Sequence, residues 1–265
     1  MSFFKKVLSS VGIGSAKVDT IVDNVQLSPG ELVQGQVLVK GGSVEQAINH
    51  IGIDICCNYF SEETYTETDD DGDESEHTRI VRHVAKLASY KVADAFTTQA
   101  GEAQSFDFSI ELPFYSPLSL GACEVWLETD LDIASAIDKS DKDMLEVLAT
   151  PRQEKLLTAM SELGFTLVEV ECEEGRQLGQ RFVQEFEFKA QRGEFRGRVD
   201  EVEILMVNYE DRLEVLLEVD RKARGLSGFF SEVLGRDETK LWLDIEALEQ
   251  GEVTEMLAGA IDQHC

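Results

Sequence analysis

The sequence predicts a mainly β protein made of two tandem antiparallel β-sandwich domains. Three features predict it. Apolar and polar residues alternate with a period of two through most of the chain, Gly and Pro turns punctuate the alternating runs, and helical spacing is confined to three short stretches. A length of 265 residues suits two domains of ordinary size. The expected division is 1–137 for the first domain, 138–150 for a linker and 151–265 for the second.

Taken in order, residues 2–11 place Phe3, Phe4, Val7, Leu8 and Val11 at helical spacing, which predicts a short amphipathic helix ending at Gly12. Strands are then expected near 17–25, 34–40, 47–60, 79–98, 104–112 and 122–133. Ser28-Pro29-Gly30-Glu31 reads as a turn in which Gly30 takes positive φ. Between 62 and 76 the pattern dissolves into a run of Glu, Asp and Thr that has nothing to bury, and a mobile hairpin loop is expected. Asp138, Lys139, Asp141, Lys142 and Asp143 interrupt the strand pattern and suggest the linker.

Thr150-Pro151 fits an N-cap followed by proline at the first helical position. Leu156, Leu157, Met160 and Leu163 supply one apolar face before Gly164. Alternation resumes in 165–172, 182–190, 199–207, 213–221 and 239–245. Phe182, Phe186 and Phe188 share one strand face, while Glu185 and Glu187 point the other way; Leu213, Val215, Leu217 and Val219 oppose Glu214 and Glu218. Glu185, Glu187, Glu201 and Glu203 are all expected on a solvated face. Slipping a strand by one residue would bury its carboxylates, so register is strongly specified. A terminal helix is expected over 252–262.

Fifty-two acidic residues against 24 basic ones give a net charge of −28. That field repels phosphate backbones and anionic lipid, which argues against nucleic acid as a partner. No run approaches the ~20 apolar residues that span a bilayer, so stable membrane insertion is not expected. Residues 7–16 are half small or polar and make a poor signal peptide, so a cytoplasmic location is expected. Cys56, Cys57, Cys123, Cys172 and Cys265 form an odd set without a C-x-x-C pair, consistent with buried free thiols.

Catalytic motifs are missing. Gly30 to Gln36 has the glycine spacing of a phosphate loop without its lysine, and no Gly-x-Ser-x-Gly elbow occurs. The four histidines are too scattered for a ligand pair. Glu201 and Glu203 could be posed as an acid and base, but a solvated strand face explains them equally. Asp69, Asp71 and Asp73 sit in a window resembling a calcium loop, yet Glu67 occupies its first position and Thr78 its twelfth, where a bidentate carboxylate belongs. No cofactor is expected, and the acidic loop 62–76 supports at most a cation-responsive module as an alternative function.

Several segments, together and in order, are more informative. Met1-Ser2-Phe3-Phe4-Lys5-Lys6, Val11-Gly12-Ile13-Gly14-Ser15-Ala16-Lys17-Val18-Asp19-Thr20, Pro29-Gly30-Glu31, Leu112-Pro113-Phe114-Tyr115-Ser116-Pro117, the Phe182 to Phe188 strand, Asp200-Glu201-Val202-Glu203 and Glu218-Val219-Asp220-Arg221 resemble the bacterial sporulation-control proteins with an arrestin-like fold, the SpoOM family. The resemblance runs nearly end to end. It implies two arrestin-like sandwiches and a non-catalytic regulatory or adaptor role through protein–protein contacts, with no catalytic residues to carry over. A protein partner of unknown identity is therefore expected, met through strand edges or acidic faces. A homodimer is also expected, strengthened by added salt that screens the charge.

Overall fold

The computed structural model describes residues 14–68, 73–134, 136–175, 181–220, 240–243, 245 and 249–263. The helix expected over 2–11 lies outside them, as do Asp69 and Asp71. Mainly β structure is found. Contacts divide the chain into two compact units, one of residues up to 57 with 86–116 and 124–147, the other of 58–85, 117–123 and 148 onward. This division is not the sequential one expected, because 58–85 and 117–123 fall in the second unit.

In the first unit β1 (Lys17–Val22), β3 (Leu32–Lys40) and β7 (Ala103–Glu111) form an antiparallel sheet, with Val37 opposite Thr20 and Phe106. A second ladder starts from β4 (Gln46–Thr68), whose first half pairs with β6 (Phe96–Thr98) and β8 (Val125–Ile133). It continues through β9 (Lys139–Val147) to β2 (Gln26–Leu27). Val33, Val37, Ile51, Ile53, Ile55, Leu127 and Leu131 are fully buried, each worth about 2 kcal/mol of transfer free energy. Thr20 and Thr129 hydroxyls meet at 2.7 Å among them. Gly30 has φ 89° in its turn, closed by Glu31 N–H donating to the Ser28 carbonyl.

The structure departs from two expectations. Residues 139–147 form β9 rather than a linker, because the charges that suggested one are held: Asp141 accepts the Thr20 N–H at 2.7 Å, Lys142 lies 3.7 Å from the Trp126 ring centre, and Asp138 accepts the Ile133 N–H. The acidic run is not a loop from 62 to 76 either. Strand β4 extends to Thr68 and pairs with β5 (Glu74–Ala93), so strand structure covers most of it. Cross-strand contacts stabilise this exposed ribbon, with Glu63 pairing Arg79 at 2.9 Å and Tyr65 packing on His77.

The second unit holds an antiparallel meander, β10 (Phe165–Glu174), β11 (Phe182–Ala190), β12 (Glu201–Asn208), β13 (Leu213–Asp220) and β14 (Lys240–Leu243). Two helices, α1 (Pro151–Glu162) and α2 (Gln250–Gln263), pack on each other, and α1 also packs on β10. Thr254 donates to Glu162 at 2.6 Å and Gln250 to the Lys155 carbonyl. The cap anticipated from sequence is present as a full capping box, with Thr150 accepting the Gln153 N–H and Gln153 accepting the Thr150 N–H. Thr150→Ala is expected to lower stability by about 1 kcal/mol, read as an earlier urea midpoint with an unchanged slope.

The four described cysteines are buried and form no disulfide among the described residues, although the Cys123 and Cys172 sulfurs lie 2.9 Å apart. Burial, followed by Glu128 and Asp54, pushes the Cys56 thiol up to about 11. It is therefore no thiolate nucleophile at neutral pH.

Candidate functional site

The period-two alternation gives the second unit's sheet two unlike faces. On one, Val170, Cys172, Phe186, Phe188, Val202, Ile204, Val215 and Leu217 make a core. Residues 117–123 lie across that face. Gln184 exchanges hydrogen bonds of 2.8 Å with the Leu118 N–H and carbonyl, and Gly121 has φ 59° with a Cβ position that would fall 2.1 Å from the Val170 carbonyl oxygen. No larger residue fits there.

The opposite face is acidic. Cross-strand register puts Glu171 opposite Glu185, Glu169 opposite Glu187, Glu187 opposite Glu203, and Glu203 opposite Glu218. Glu173 and Glu201 extend the same face. Like charges directly opposite one another destabilise a sheet. With both members ionised, each such pair at ~5 Å and an effective dielectric constant near 20 would repel by about 3 kcal/mol, a cost that a retained proton removes. Lys189 answers part of this, its ammonium lying 2.6 Å from Glu187 and 3.6 Å from Glu201.

The solvated-face expectation fails for the two central residues. Glu185 is 4% exposed and Glu187 is 7% exposed. Neither Glu185 oxygen has a hydrogen-bond partner. Polar alternation fixes which face a side chain points to, but Leu205, opposite Glu185 on β12, and Val183, two residues before it, are buried on that same face and, with the neighbouring glutamates, exclude water from its middle. Burial, then Glu203 and Glu173, pushes the Glu185 carboxyl up to about 9. Glu203 rises to about 8 through burial and Glu201, and Glu173 to about 7 through burial, Glu171 and Glu62. Glu171 and Glu201 are raised as well, chiefly by burial, with Lys189 opposing the rise at Glu201.

On this face of the paired strands β10 and β11 lies a cleft lined by Glu169, Glu171, Glu173, Glu185 and Glu187, with an empty volume of about 210 Å³ counted out to open solvent. Glu201 and Glu203, the posed acid and base, do not line it. They share a face with carboxyls that burial and one another make harder to ionise, and among the described residues no histidine or hydroxyl lines the cleft. Asp73 is exposed, just ahead of β5. Among the described residues no group of three His, Cys, Asp or Glu side chains is placed to hold a metal ion. Nor, among them, is any helix long and apolar enough to cross a membrane. His50 pairs with Asp132 at 3.2 Å on the first unit's ladder, a structural contact.

A signal for this face existed in the sequence. Mixed-sign charge is usual on solvated strands, whereas β10, β11 and β12 carry glutamates at matching alternate positions with Lys189 as their inserted cation.

Comparison with known proteins gives consistent matches. The family described as SpoOM protein matches residues 4–223. The chain is 40% identical to the sporulation-control protein spo0M of Bacillus subtilis over 269 aligned residues, covering 100% of this chain and 99% of that protein. Its fold is similar to the crystal structure of Spo0M from Bacillus subtilis, with a TM-score of 0.82, 39% identity, and coverage of 96% of this chain and 100% of that one.

Proposed function

This chain belongs to the SpoOM protein family, and we propose that it is a non-catalytic, cytoplasmic regulatory protein that acts as an adaptor through protein–protein contacts. Its relative's role in sporulation control supports a regulatory reading. Two arrestin-like sandwiches in tandem are the architecture proposed for the role. The observation that carries the reading is the acidic face of β10 to β13, where glutamates are held in register at a cost to stability. A fold selected for stability alone would place neutral or mixed-charge residues there. The chain's net charge of −28 gives a field of one sign, which accelerates encounter with a basic protein surface and disfavours acidic ones.

The test is genetic and biochemical. In Bacillus subtilis lacking its own sporulation-control protein, the wild-type chain is expected to restore normal sporulation frequency. A variant with Glu169→Gln, Glu171→Gln and Glu173→Gln together is expected to restore less than a tenth of it at equal abundance. Affinity capture at low salt should recover a partner with the wild-type chain and lose it with the variant. Full rescue by the variant would remove the acidic face from the function.

A further inference from the structure

Glu185 differs from its acidic neighbours. It is 4% exposed, both its oxygens lack hydrogen-bond partners, and it lines the cleft on the acidic face of β10 and β11. A buried carboxyl with neither oxygen satisfied costs about 1–3 kcal/mol or more, and its register partner on β12, Leu205, has no polar side-chain atom to offer it. Glu187, two residues on, shows what completes such a group here. The Lys189 ammonium sits 2.6 Å from its carboxylate. Along β10 the carboxyls of Glu169, Glu171 and Glu173 recur at every second residue, a repeat of about 7 Å. An extended chain with lysine at every second position presents ammonium groups on one side at that same repeat. Lysine suits the cleft because its compact ammonium donates three hydrogen bonds from a flexible stem and can reach a recessed carboxyl.

Resting on the adaptor reading, we propose that the cleft lined by Glu169, Glu171, Glu173, Glu185 and Glu187 receives lysine ammonium groups from an extended segment of a partner protein in which every second residue is lysine. The ammonium supplies the hydrogen bonds that Glu185 lacks. The groups facing Glu185 are Glu171 and Glu173 from β10, Glu187 from its own strand and Glu201 and Glu203 from β12. All are acidic, so the entering cation lowers the proton affinity of the whole group, and protons leave as the segment binds.

The probe is the peptide acetyl-(Lys-Ser)₄-amide, titrated calorimetrically into the full chain at low salt and pH 7.5. The control, acetyl-Lys₄-Ser₄-amide, has the same composition and charge with its lysines contiguous. The alternating peptide is expected to bind at least ten-fold more tightly than the control and to release protons, seen as a heat that varies with the ionisation enthalpy of the buffer. Glu185→Gln is expected to weaken it about ten-fold, and Glu173→Gln also to weaken it. Asp107→Asn, which removes one exposed charge from the first unit, should leave affinity unchanged. Equal affinity for both peptides, an unaffected Glu185→Gln, or no binding would overturn the proposal. So would a stoichiometric calcium site, found with calcium chloride alone and lost in Glu185→Gln. If the peptide fails while genetic rescue still depends on the acidic face, the adaptor reading survives and the cleft's ligand does not. If the peptide binds while the triple variant rescues fully, the reverse holds.

Discussion

Stability is expected to fall as pH rises from about 5 to about 9. Glu173, Glu203 and Glu185 have folded-state values near 7, 8 and 9, all raised from an ordinary 4.5. Between those limits the native state binds more protons than the unfolded chain, so the slope of unfolding free energy against pH is negative. Their contribution is fully present below about 4.5 and is lost progressively as each folded value is passed. At 1.36 kcal/mol per unit, and discounted for mutual coupling and solvent, the loss is on the order of 5 kcal/mol. The melting temperature should drop by roughly 10 °C or more from pH 5 to pH 9 in thermal scans at fixed salt. Glu185→Gln should raise stability at pH 8 by about 2 kcal/mol and flatten the profile. A melting temperature that climbs from pH 5 to pH 9, the usual pattern when carboxylates are paired, would reverse the electrostatic assignment.

The adjacent residue should respond in the opposite sense. Phe186 is 1% exposed on the apolar face of β11, opposite Val170 and Ile204 in register. Phe186→Ala removes most of a buried ring from a site bounded by two neighbouring strands, where collapse is restricted. It is expected to cost about 4 kcal/mol, seen as a much lower denaturant midpoint at every pH. Neighbouring positions on one strand thus give mutations of opposite sign, one stabilising and one severely destabilising. A Phe186→Ala cost below about 1 kcal/mol would mean that this face is not the core.

Much of this was legible in the sequence because side-chain periodicity reports directly on strand faces. The Phe182 to Phe188 alternation located β11 with its ends at Phe182 and Ala190 as found, and Thr150-Pro151 located the start of α1. What the sequence conceals has one common cause. Charge does not by itself mean solvent: Asp141 and Lys142 look like a linker where a strand pairs with β8, and Glu62 to Thr68 look like a loop where β4 continues. Equating the two likewise puts Glu185 and Glu187 in water. Alternation specifies direction, whereas burial depends on what the neighbouring strands bring, and those neighbours lie up to about 20 residues away in sequence at Glu203 and Glu171. The domain division was obscured for a related reason: strand β4 is long enough to serve the first unit with one half and the second with the other.

The fold therefore holds carboxyls on one sheet face in a state that suits an incoming cation better than it suits the protein by itself. The most direct measurement is a carbon-detected NMR titration of the glutamate side-chain carboxyls, assigned through Glu185→Gln. Glu185 is expected to titrate near pH 9 in the free protein and to move down by at least one unit with the alternating lysine peptide bound. A Glu185 carboxyl that titrates near 4.5 in the free protein, unmoved by the peptide, would contradict it.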